Sequence, residues 1–290
     1  MEYGLLALTA LALACQDIFK KQFNKKNNRG TFLFAAMIGL CATLFFVGVN
    51  IFVDKDWFYR PLLLLPSGGF AISYAAATLF SVLAIRNGSL AKTSLVVVCS
   101  LLPASAYGII WGGDKITPAL IIGTILLLAA LILVNYEKKD SDQPITLKWV
   151  IYVTLAFLGN AMCNLAQRIK QDLLGNDGNN MFMIVALAMV TVIMFVFAII
   201  SKDERPYLGD IAKKGWLYAL ICGGANGLVN FLVILLNKME LPASVMFPVI
   251  SGGSMVLIFL YSVFVVREKF KLRQIIGFFL GVVSIVLLNL

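Results

Sequence analysis

The residues that could do chemistry in this chain are amides set inside apolar sequence. From Gly159 to Arg168 the order Gly-Asn-Ala-Met-Cys-Asn-Leu-Ala-Gln-Arg spaces Asn160, Asn164 and Gln167 by four and three residues. At about 100° per residue the three share one helical face. Amides both donate and accept, which suits a zwitterionic or hydroxylated solute. In hydrocarbon such a stripe is unfavourable unless it faces protein partners or water. It therefore marks either a helix-packing seam or the wall of a solute pathway.

Other uncharged polar residues fall at comparable depth. Asn226 and Asn230 are one turn apart, and Tyr74, Thr78 and Ser81 form a further stripe, whose hydroxyls can also bond back to their own helix carbonyls. Gln16 lies a little past the middle of the first apolar stretch. Asp17 is the one acid clearly inside such a stretch, readable as a proton-coupling carboxylate, a counter-ion for a cation, or a local pair with Lys20 and Lys21. The Ser251-Gly252-Gly253-Ser254 run reads either as a locally unwound turn exposing backbone groups or as close packing through small residues. Close packing is also the reading for Gly277 and Gly281. The candidate substrate-binding set is thus Gln16, Asp17, Tyr74, Asn160, Asn164, Asn226, Asn230, Ser251 and Ser254. Arg168, at the end of the opening stripe, could attract an anion or snorkel to the interface.

Much enzyme chemistry is excluded. With no histidine, imidazole metal ligands and Ser-His-Asp or Cys-His arrangements are ruled out. The five cysteines have no metal-ligand spacing and read as packing residues. No phosphate-cradling Gly-Lys-Ser/Thr loop occurs, so transport driven by direct ATP hydrolysis is not expected. No catalytic residue, metal or cofactor is assigned, and an enzyme is not expected.

The elements that must position these amides are membrane helices. The chain of 290 residues is 60% hydrophobic and 13% charged, with a mean hydropathy of +0.91. Its apolar blocks are about 20 residues long, enough for a helix to cross the hydrocarbon core. Ten spans are predicted, at about 3–23, 31–53, 62–85, 93–111, 117–136, 149–170, 181–201, 215–237, 241–266 and 273–290. The polar stretch 137–148 divides them into a first repeat, 1–136, and a second, 149–290. Asp114-Lys115 before Ile121-Ile122-Gly123 matches Glu268-Lys269 before Ile275-Ile276-Gly277, with identical spacing. Five spans per half is odd, so the halves must enter the membrane with opposite polarity. The fold class is therefore an all-α polytopic membrane protein with ten transmembrane helices in two inverted five-helix repeats. Basic residues follow the first span instead of preceding it, which argues against a cleaved signal peptide. The net charge of +9 sits in short loops and reads as membrane orientation, with both termini outside, and not as nucleic-acid binding.

Short motifs give this architecture a family likeness. Gly88-Ser89-Leu90-Ala91, Pro103 and Gly113-Asp114-Lys115 in one half, and Pro242-Ala243-Ser244, Pro248 and Arg267-Glu268-Lys269 in the other, resemble the EamA-like drug/metabolite transporter superfamily. The usual Trp-Gly of its first helix is replaced here by Cys15-Gln16, and its members are usually drawn with both termini cytoplasmic. The resemblance implies a multi-pass carrier in the cell membrane. Such a carrier would move a small organic solute, amino-acid-like or an amine, by alternating access through a midplane cavity. Its partners would be the solute, the bilayer and a coupling proton or cation, with the chain a monomer or homodimer. The alternatives are a flippase for a lipid-linked sugar or similar amphiphile, and a purely structural role.

Overall fold

The computed structural model describes residues 2–27, 30–54, 57, 60–87, 93, 96–97, 100–111, 116–135, 146–175, 177–239, 241–261, 264–265 and 272–288. Among them every regular element is helical. The α-helices are α1 (Glu2–Lys26), α2 (Thr31–Val49), α3 (Leu64–Asn87), α4 (Leu101–Ile110), α5 (Pro118–Asn135), α6 (Leu147–Leu174), α7 (Asn179–Ile200), α8 (Leu208–Lys238), α9 (Ala243–Tyr261) and α10 (Leu272–Leu288). Among the described residues seven helices are long and apolar enough to cross a membrane: α1, α2, α3, α6, α7, α8 and α9. The chain is a multi-pass membrane protein. An apolar sequence in lipid has little choice but to be helical, because a helix pairs its backbone groups within the segment.

Local chemistry sets the helix starts. Thr117 Oγ1 accepts the Leu120 N–H at 3.1 Å, just before Pro118 opens α5. Thr146 does the same for Trp149 at the start of α6, at 3.2 Å. At the head of α2 the cap position is Gly30, with φ of 116° and no side chain to offer. The cap comes instead from the turn before α8. Glu204 is buried, and its Oε1 and Oε2 accept the Phe32 and Leu33 N–H groups at 2.9 and 3.0 Å. A carboxylate is well placed at the positive end of a helix dipole.

The chain divides into two compact units. One comprises Met1–Ala14, Ala76–Leu165 and Glu240–Leu290, the other Cys15–Ala75 and Ala166–Met239. In the first, α10 lies along α5, and α9 packs on α4, α5 and α10. Ser284 Oγ donates to Gly123 O at 2.8 Å across the α5–α10 seam, and Phe259 stacks on Phe278 at 4.5 Å. Trp149 packs with Ala84 and Val153 and donates Nε1–H to Thr93 Oγ1 at 3.0 Å.

In the second unit α2 packs on α7 and on α8. Gly39 gives Thr191 of α7 its place: a Cβ there would stand 2.8 Å from the Thr191 hydroxyl. Ser67 Oγ donates to Phe182 O at 3.1 Å, and Phe23 stacks on Phe34 at 3.8 Å. Lys170, fully buried, closes the α6–α7 turn by donating to Gly175 O at 3.0 Å and to Asn179 Oδ1.

Each unit draws on both sequence halves, so the compact units do not coincide with 1–136 and 149–290. Within them α2 meets α7, α4 meets α9, and α5 meets α10. Ser89-Leu90-Ala91, Asp114-Lys115, Glu268-Lys269 and most of the 137–148 stretch lie outside the described residues.

Candidate functional site

Helix α8 carries two neighbouring stripes with different roles. Gly215, Ala219, Gly223 and Gly227 recur every four residues and are all buried. A Cβ on Gly223 would stand 2.4 Å from Cys41 Cβ, and one on Gly227 would stand 2.6 Å from the Phe45 ring. This face therefore brings the α8 backbone against α2. Beside it run Cys222, Asn226, Asn230 and Asn237, the polar stripe.

That stripe reaches α1 at one end and α6 at the other, all within the second unit. The Cys222 thiol donates to Gln16 O at 3.5 Å, and Cys15, Asp17 and Lys20 lie within electrostatic range of it. Gln16 is buried, whereas Asp17 and Lys20 are exposed and close enough to interact electrostatically. Two turns further along α8, Gln167 Nε2 donates to Asn230 Oδ1 at 2.6 Å. Asn230 Nδ2 in turn donates to Asn226 O at 2.8 Å and to Asn226 Oδ1 at 3.2 Å. At the far end Arg168 Nη1 donates to Asn237 Oδ1 at 3.4 Å, and its Nε lies 3.5 Å from Asp172 Oδ1. Gln16-Asp17-Ile18 on α1 and Gln167-Arg168-Ile169 on α6 stand at matching places, each just after the helix enters this unit.

Four of the nine residues singled out from sequence, Gln16, Asp17, Asn226 and Asn230, are thus found along one set of helices. The others lie outside this hydrogen-bonded stripe, Asn160 and Asn164 on the part of α6 that belongs to the first unit. Asn160 belongs to the first unit and donates Nδ2–H to Ala156 O of its own helix at 2.9 Å. Asn164, half-buried, belongs to the same unit. Tyr74 is stacked with Phe70, centroids 6.4 Å apart, and Phe70 meets Phe182 edge-on. Helix α9 continues unbroken through Ser251 and Ser254, and Ser254 Oγ donates to Ser251 O at 2.9 Å. The double glycine there serves packing: a Cβ on Gly253 would stand 3.0 Å from Ala10 Cβ.

Gln167, Cys222 and Asn237 extend the set. Their signal was in the sequence: Gln167 ends the opening stripe, Cys222 is one turn before Asn226, and Asn237 is two turns past Asn230. Among the described residues no group of three His, Cys, Asp or Glu could hold a metal ion. The arrangement offers amide donors and acceptors inside membrane-spanning helices, chemistry for binding a polar molecule.

Residues 147–290 match the EamA-like transporter family. No curated protein matches the chain in sequence. Among solved structures 28 chains do match. One, titled only "Crystal structure of protein", superposes with a TM-score of 0.76 over 98% of this chain and 94% of that chain, at 13% identity. Likeness at that identity shows a shared fold.

Proposed function

We propose, on the match of residues 147–290 to the EamA-like transporter family, that the chain is a secondary active or facilitative carrier in the cell membrane. It moves a small polar organic solute, amino-acid-like or an amine, by alternating access. The observation that carries this reading is the hydrogen-bonded ladder Gln167–Asn230–Asn226, which joins α6 to α8 inside two helices apolar enough to span a bilayer. Interhelical amides cost little to break and remake, since each can exchange its partner for a solute or water.

The reading includes ten spans in two inverted halves. It is supported by the pairing of α2 with α7, α4 with α9 and α5 with α10, the second, fourth and fifth helices of each half. The repeated Gln16-Asp17-Ile18 and Gln167-Arg168-Ile169 support it as well. A pseudo-two-fold axis in the membrane plane would bring such counterparts together. Asp17, exposed on α1, is the residue to carry a coupling proton or cation.

The test is solute flux in proteoliposomes against a panel of amino acids, amines, nucleosides and sugars, with Asn226→Leu and Asn230→Leu beside the wild type. Flux is expected in the wild type and a loss of at least about tenfold in both variants, each still inserted and monodisperse. A wild type that moves no solute would sink the transport reading, and undiminished flux in both variants would sink the site.

A further inference from the structure

The ladder between α6 and α8 has a direction, and that direction decides the chemistry at its open end. Asn226 O is a backbone carbonyl and can only accept. The end of Asn230 that lies 2.8 Å from it must be the donor, Nδ2, which leaves Asn230 Oδ1 as acceptor. Gln167 therefore meets Oδ1 with its amide nitrogen, at 2.6 Å, and its own oxygen is left over. Turning either side chain round would set acceptor against acceptor or donor against donor. The remaining atom, Gln167 Oε1, is buried and has no hydrogen-bond partner among the described residues, in a residue that is 8% exposed. A buried acceptor left unmet is costly and calls for a reason.

We propose that Gln167 Oε1 is a solute-recognition point of the carrier and that it takes a hydrogen-bond donor, an ammonium N–H or hydroxyl of the solute. A carboxylate or phosphate brings only lone pairs to that oxygen and is rejected there. Arg168, the adjacent residue, is paired with Asp172, whose carboxylate offsets its charge, and it donates to Asn237. The oxygen is covered in the conformation described, so the solute reaches it when the covering residues move, as alternating access requires. The inference rests on the transport reading above and adds to it a class of solute and a residue that selects it.

The experiment uses the full chain in proteoliposomes. Solutes the wild type moves are each paired with a counterpart whose donors are methylated: alanine with N,N,N-trimethylalanine, propylamine with N,N,N-trimethylpropylammonium, glycerol with its tri-O-methyl ether. The donor-bearing member is expected to have a kcat/KM about 10- to 100-fold higher. In Gln167→Met that preference is expected to disappear, whatever the overall rate. Equal transport of both members by the wild type, which requires no variant to fold, overturns the inference and leaves the transport reading standing. So does a Gln167→Met protein that keeps the wild-type preference. A wild type that moves no solute at all overturns both.

Discussion

Two adjacent glycines in α8 offer a sharp test of how the second unit is packed. A Cβ at Gly223 would lie 2.4 Å from Cys41 Cβ, 2.8 Å from Ile38 O and 3.3 Å from Ala42 N, whereas at Gly224 nothing among the described residues lies within 4 Å. Relief at 223 cannot come from a side-chain rotation, because two of the three atoms are α2 backbone and the third is a Cβ. The 2.4 Å approach must open to at least 3.4 Å, ordinary contact, by moving a whole helix. Overpacking of this kind costs about 1–3 kcal/mol, while alanine regains about 1 kcal/mol over glycine in a helix interior. With backbone in the way the upper figure applies, so Gly223→Ala should destabilise by about 2 kcal/mol. Gly224→Ala should stabilise by up to about 1 kcal/mol. The pair should therefore differ by about 3 kcal/mol, a factor of about 100 in the unfolding equilibrium. Reversible unfolding in mixed micelles with increasing sodium dodecyl sulfate measures it. If Gly223→Ala is as stable as the wild type, or both variants shift alike, the close approach of α8 to α2 is wrong.

Other substitutions test separate contacts. Glu204→Ala should cost about 2 kcal/mol and lower hydrogen-exchange protection of the Phe32 and Leu33 amides, while Glu204→Gln, which keeps one acceptor, should lose about half as much. Ser284→Ala removes the bond to Gly123 O and should cost about 0.6 kcal/mol, read in the same unfolding assay. Asn230→Leu strands Gln167 Nε2 and should cost about 1–2 kcal/mol. Asn160→Leu, whose amide serves only its own helix in the bond observed, should stay within about 0.5 kcal/mol of the wild type.

Helices were legible in the sequence wherever hydropathy alone decides. The predicted 117–136 and 273–290 spans correspond to Pro118–Asn135 and Leu272–Leu288. Span ends were less legible where the helix outruns its apolar stretch. Helix α6 runs on through Lys170, Gln171 and Asp172 to Leu174, because the buried Lys170 caps its own C-terminal turn. Periodicity correctly put Asn226 and Asn230 on one face, and they are hydrogen-bonded to each other. It could not tell that Asn160 spends its amide on Ala156 O, since depth and face say nothing of which acceptor a rotamer chooses. Glu204 had no local signature at all: its partners are remote in sequence, and the glycine at the α2 cap position only hints that the cap comes from elsewhere.

The Glu204 cap also bears on how the protein is made. Its bond to Phe32 spans a sequence separation of 172 residues. At about 5–20 residues per second a ribosome needs roughly 10 to 35 s to cover that distance. For that time α2 exists with a glycine at its head and no carboxylate to hold its first amides. The second compact unit is likewise incomplete until residues 166–239 join 15–75. The nascent chain must therefore hold its first helices in the membrane unfinished, and the two sequence halves ripen together, late in synthesis, instead of one after the other.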